Sequence, residues 1–247
     1  MPARTRSPRR STRREPLRIL PQPDGTTCGP TCLHAVYRHY GDDIELAQVV
    51  AEVSRLEGGG TLAVMLANHA LRRGYAARIY TYNLQAFDPT WFTGKVDLRD
   101  RLQRQAAVKT SRRLQTSTAA YLRFLERGGE VFFEDLTTRL LVRILQRGTP
   151  ILTGLSATYL YRSMREFGPN DDDDDVRGTP VGHFVVLSGY DTATRRVRIA
   201  DPWVPNPAAV HYYRAGVERV IGAILLGVLT YDANLLIVTP RRNGRSS

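Results

Sequence analysis

One pair of segments limits the fold more than any other part of this chain. GHFVVLSGY (Gly182–Tyr190) and RRVRIADP (Arg195–Pro202) are β-rich runs joined by the turn formers DTAT. Such an arrangement specifies an antiparallel hairpin. A turn centred near Thr192 sets residue 183 opposite residue 201. His183 and Asp201 are then expected to face each other directly across the ladder, on one side of the sheet. A slip of one residue would send them to opposite faces. A histidine and a carboxylate on rigid strands suit a base and the group that orients it. The plain alternative is a hydrogen-bonded structural histidine.

The rest of the chain divides around that hairpin. Upstream, the pattern is helical. A helix is expected from about Pro30, which suits a first turn, to Tyr40, ended by Gly41. A second follows near Glu45–Leu56, with Leu46, Val49, Val50, Val53 and Leu56 on one stripe. After Gly58–Gly60, Thr61 is expected to cap a third helix to about Arg73, closed by Gly74. Ala76–Tyr82 alternates and reads as a strand. Residues 83–146 read as a helical insertion, with helix over Leu98–Arg127 and Glu134–Arg147. PILTGLS is a strand after Gly148, helix returns near Ala215–Thr230, and NLLIVTP is a last strand. Helices first and an antiparallel sheet after imply an α+β fold of two halves. A cleft between the halves is the expected place for a site.

The chain has 247 residues and 42% hydrophobic content, enough for one sizeable domain over residues 17–240. Its net charge of +11 is concentrated at the ends. Residues 1–16 carry six arginines and one acid, and residues 241–247 carry three arginines. These read as basic, solvated tails, with weak nucleic-acid or acidic-partner contact as the accessory role such charge permits. No nucleic-acid-binding motif accompanies them. TRREPLRIL lacks the apolar run of at least about 7 residues that an export signal needs. Val220–Tyr231 is shorter than the roughly 17–25 residues that span a bilayer. No transmembrane segment and a cytoplasmic location are therefore expected.

The chain holds two cysteines, Cys28 and Cys32. On a helix, residues four apart have Cβ atoms about 5–6 Å apart, whereas a disulfide needs about 3.5–4.5 Å. The pair is badly placed for a bridge, and a reducing compartment fits. Zinc is a poor match, because Cys-x3-Cys lacks a second pair; no metal or other cofactor is expected. The two positions differ chemically. Cys28, just before Gly29-Pro30, sees the positive end of the helix dipole, which favours thiolate. Cys32 lies one turn deeper among Leu33, Ala35 and Val36 and reads as core. A thiolate nucleophile needs a basic partner. Of the histidines, His34 and His39 share the helix of Cys28, His69 lies on the third helix, and His211 sits in AVHYY; the hairpin register singles out His183. Asp171–Asp175 reads as a solvated loop that could flank the cleft and attract basic segments.

Taken together, Q-x5-C-G-P-T-C-L, G-H-F-V-V-L-S-G-Y-D and I-A-D-P-W resemble the papain-like cysteine peptidases, in particular the bacteriocin-processing (double-glycine leader) family and its stand-alone relatives. The resemblance covers residues 17–75 and 148–204. It implies a papain-like fold, a peptide or protein substrate, and hydrolysis of peptide or amide bonds. It assigns attack to Cys28, the base to His183, its orientation to Asp201 and oxyanion stabilisation to Gln22. A transpeptidase on the same layout, as in phytochelatin synthases, and a catalytically silent peptide-binding module are the alternatives.

Overall fold

The computed structural model describes residues 16–241; the basic tails lie almost wholly outside this range. The chain begins with three helices, α1 (Cys28–His39), α2 (Leu46–Glu52) and α3 (Ala63–Arg72), followed by strand β1 (Tyr75–Thr81). α2 is shorter than its apolar stripe suggests, because Val53 is already extended. Thr61 does not cap α3. Leu62 holds the N-cap position without a side-chain bond, and the Ala63 N–H donates instead to Asp232 Oδ2 at 3.0 Å.

Residues 83–146 hold α4 (Leu98–Val108), α5 (Arg112–Glu126), β2 (Glu130–Phe132) and α6 (Thr138–Leu145). A wholly helical insertion is thus not what forms. Ser111 starts a new helix by accepting the Leu114 N–H, and β2 pairs in parallel with β1. Downstream come β3 (Ile151–Ser156), α7 (Ala157–Tyr161), β4 (Glu166–Phe167), β5 (Asp172–Asp173), β6 (Gly182–Asp191), β7 (Arg196–Ala200), β8 (Tyr212–Gly216), α8 (Val217–Leu226) and β9 (Asn234–Pro240). The acidic run forms a small exposed hairpin, β5 pairing with β4, rather than an unstructured loop.

The main sheet has the order β2-β1-β9-β3-β6-β7-β8. Because β1 pairs with β9, the sheet spans both halves of the chain. One apolar cluster joins α1, α2, α3 and α5 to the sheet face that carries Phe184 and Val186. A second joins α6 and α8 to the opposite face, with Val185 and Leu187. The period-two alternation of β6 is therefore buried on both sides, which is why FVVL is continuously apolar.

The hairpin register differs from the expected one in an instructive way. Asp191 and Arg196 close the turn, so its centre lies beyond Thr192, and Arg195 adopts φ 53°. The pairs nearest the turn include Tyr190 with Val197. Continued unchanged, that register would put Asp201 opposite Val186, on the face away from His183. A β-bulge between Leu187 and Gly189 intervenes, so that Val186 pairs with Ala200. Asp201 then follows opposite Val185, two residues from His183 and on its face. His183 and Asp201 are diagonal neighbours, not direct opposites.

Candidate active site

α1 begins at Cys28, so its amides and dipole point at that end of the helix. Thr27 shapes the approach: its hydroxyl accepts the Asp24 N–H and donates to the Asp24 carbonyl, both at 3.1 Å. Gly29 lets the helix settle onto the sheet. A Cβ there would come within 2.6 Å of Thr61 Cγ2 and 3.2 Å of Phe184 Cδ2. The close approach carries Cys28 to the start of β6, where His183 is the second residue. The site forms where the two layers meet, with α1 from one side of the sheet and His183 and Asp201 on the other.

His183 is held by a carboxylate. Its Nε2 bonds Asp201 Oδ1 at 2.9 Å, and Cys28 lies close enough to act on its charge. Burial disfavours the imidazolium, but Asp201 and Cys28 outweigh it and raise the His183 pKa to about 10. Asp201 is fully buried. Burial alone would raise its carboxyl; the donors around it and the charge on His183 hold it below its ordinary value. Oδ1 also accepts the Trp203 N–H at 2.9 Å. Oδ2 accepts the hydroxyls of Tyr161 at 2.7 Å and Tyr213 at 2.8 Å.

The other expected site residue, Gln22, lies on the segment that enters α1. Its backbone N–H donates to the Pro202 carbonyl at 3.0 Å, just past Asp201. Its Nε2 donates to the Asp24 carbonyl at 2.7 Å, which fixes the amide orientation, and Oε1 is buried without a hydrogen-bond partner. Cys32 is fully buried, donates to the Phe184 carbonyl at 3.3 Å, and has its thiol pKa pushed well up by burial. It is core, as its position suggested. The remaining histidines are occupied elsewhere or point away: His69 bonds Tyr37 and Glu52, His39 approaches the Gly148 carbonyl, and His34 is buried with Nδ1 unpartnered.

Sequence reasoning missed Tyr161, Tyr213 and His211. Two were hidden by unassigned elements: α7, capped by Ser156, carries Tyr161, and β8 carries Tyr213. The β-prone aromatic pair in HYYRA was the available signal for β8. His211 Nδ1 contacts the Asp201 carbonyl oxygen at 2.7 Å, and the Asp201 N–H donates to the His211 carbonyl at 2.8 Å. Two cavities, of about 390 and 520 Å³, lie within the C-terminal half and are not lined by Cys28 or His183.

A cysteine at a helix start, near a sheet-borne histidine that bonds a buried aspartate, presents the residue types that thiol acyl transfer needs. Residues 15–219 match the model of the Peptidase_C39 like family. The chain belongs to that family and is a cysteine peptidase with a papain-like α+β fold. Among solved structures it resembles a protein assigned as a C39-like peptidase from Bacillus anthracis (12% identity, 92% of this chain and 96% of that one, TM-score 0.50). It also resembles the peptidase domain of Streptococcus ComA, a bifunctional ABC transporter (16%, 91% and 99%, 0.42). A third is xylellain, a cysteine protease from Xylella fastidiosa (15%, 95% and 87%, 0.45). No curated protein matches. Among the described residues no helix is long and apolar enough to cross a membrane.

Proposed function

We propose that the chain hydrolyses peptide bonds in a peptide or protein substrate through Cys28, His183 and Asp201, with the Gln22 side chain and the Cys28 backbone N–H as oxyanion donors. The observation that carries this reading is the position of His183, bonded to Asp201 at 2.9 Å through Nε2 and close enough to Cys28 for a thiolate there to favour the imidazolium. A proton held on the imidazole leaves Cys28 as thiolate. Cys28 Sγ attacks the carbonyl carbon, and the carbonyl π pair moves onto oxygen. Collapse of that adduct breaks the C–N bond, and the departing amine takes its proton from His183. Water then gives a proton to His183 and attacks the thioester, releasing the acid and returning Cys28 as thiolate beside protonated His183. For Gln22, one amide hydrogen is spent on Asp24 and the second remains for the oxyanion.

The test is cleavage of a complex peptide mixture by the wild type, Cys28→Ala and Cys32→Ala. Cleavage that survives in Cys32→Ala and vanishes in Cys28→Ala is expected. Peptides that co-purify with Cys28→Ala identify the substrate. Cleavage by Cys28→Ala at the wild-type rate would overturn the assignment.

A further inference from the structure

Asp201 carries more hydrogen bonds than orientation of a histidine requires. Oδ1 alone meets His183 and the Trp203 N–H. Oδ2, on the far side of the carboxylate, takes two tyrosine hydroxyls, at 2.7 Å from Tyr161 and 2.8 Å from Tyr213. These come from elements distant in sequence, α7 and β8, and converge on one oxygen. Both hydroxyls are themselves hard to ionise. Burial first, and the Asp201 charge next, push both tyrosines above the ordinary phenol range. They therefore stay donors across the whole working pH range, with Asp201 as the anion that both hydroxyls reach.

We infer that Tyr161 and Tyr213 are positioning residues that act through Asp201, keeping its buried carboxylate ionised and its Oδ1 aimed at His183. The inference rests on the proposed roles of Cys28, His183 and Asp201. Its physical content is a division of labour between the two oxygens. A fully buried carboxylate with donors on one oxygen would be drawn toward the neutral acid by desolvation. The two phenols make the anion the favoured form and fix the carboxylate plane from behind. A protonated Asp201 would withdraw the charge that holds the proton on His183, and with it the partner of the Cys28 thiolate. The His211 contacts fix the main chain of Asp201, so the phenols control only the side chain.

Tyr→Phe at either position removes a hydroxyl and adds no atoms, and both residues line the cavity of about 520 Å³. The probe is iodoacetamide, with adducts assigned by peptide mapping so that Cys28 is read alone; Cys32 is fully buried. Alkylation rate against pH is measured for the wild type, Tyr161→Phe, Tyr213→Phe and the double variant, with melting temperature recorded for each. The double variant is expected to lose about tenfold in Cys28 alkylation rate near pH 6, with the acid limb of the profile raised by about one pH unit. Each single variant is expected to give a smaller rise in the same direction. Profiles that coincide with the wild type, with only the melting temperature lowered, would overturn the inference, because a merely structural role moves stability and not the limb. Should the double variant fail to fold, the two single variants still decide. The readout is independent of turnover: a wild type without peptide cleavage but with a raised limb in the variants would refute the peptidase cycle and leave the tyrosine roles standing.

Discussion

Replacing Asp201 by Asn isolates the charge of the buried carboxylate from its shape. The two side chains are nearly isosteric, and Asp201 is fully buried, so no cavity forms and no water enters. The amide can keep its oxygen toward His183 Nε2 and the Trp203 N–H, both at 2.9 Å in the wild type. Its NH2 then faces Tyr161 and Tyr213, whose hydroxyls can turn to accept. What is lost is the negative charge. A hydrogen bond to a charged group contributes about 1.5–3 kcal/mol, against about 0.5–1.5 for a neutral pair. The His183 bond alone therefore loses about 1–2 kcal/mol, and the missing ion pair in a buried site takes the total to about 2–3 kcal/mol. Converted at about 1.4 kcal/mol per tenfold, Cys28 should react about 30–150 times more slowly near pH 6. The assay is alkylation of Cys28 followed by mass mapping, with circular dichroism to establish the fold. A folded Asp201→Asn protein that alkylates at the wild-type rate would refute the reasoning, since His183 would then not need the carboxylate to hold its proton.

Three further outcomes are expected. Gly29→Ala must push α1 off Thr61 and Phe184, at 2.6 and 3.2 Å from the new methyl; it should cost about 1–3 kcal/mol by chemical denaturation and lower kcat/KM as Cys28 moves from His183, and unchanged values for both would contradict the packing account. Because the His183 pKa is raised to about 10, kcat/KM should stay level from pH 7 to 9 and fall as pH rises through about 10, when the proton for the leaving amine is lost; a fall centred near 6.5 would contradict the ion pair. Burial pushes the Asp232 carboxyl up to about 7. The native state thus keeps a proton that the unfolded chain has already released, so this residue should lower stability by up to about 4 kcal/mol as pH rises from about 4 to about 7. Melting curves of wild type and Asp232→Asn across that window measure the effect: a slope equally steep in the variant would show that Asp232 is not its source.

The candidate site residues were legible in the sequence more readily than the register that brings them together. Cys28 and Cys32 were separable because the helix start and the apolar interior are local features. His183 and Asp201 were paired from a turn centre that the structure moves, and the bulge at Leu187/Gly189 restores the shared face. A bulge has no strong local signature beyond a glycine in a strand, so the pair was reached through a register that does not form. Tyr161 and Tyr213 could not be read at all. Their convergence on Asp201 Oδ2 depends on tertiary placement of α7 and β8, and aromatic residues in such segments usually pack as core. The strand β2 was obscured for a related reason: three residues at a sheet edge carry too little alternation to stand out from the flanking helices.

The central claim is that Cys28 carries the acyl group during peptide cleavage while His183 moves the proton. Its most direct measurement is acid quenching of the protein during turnover of a peptide that it cleaves, followed by mass mapping of the thioester. The account predicts an acyl adduct on the peptide that contains Cys28, none assigned to Cys32, and no adduct in His183→Ala. Turnover at full rate with no acyl group on Cys28, or with the adduct on another residue, would contradict it.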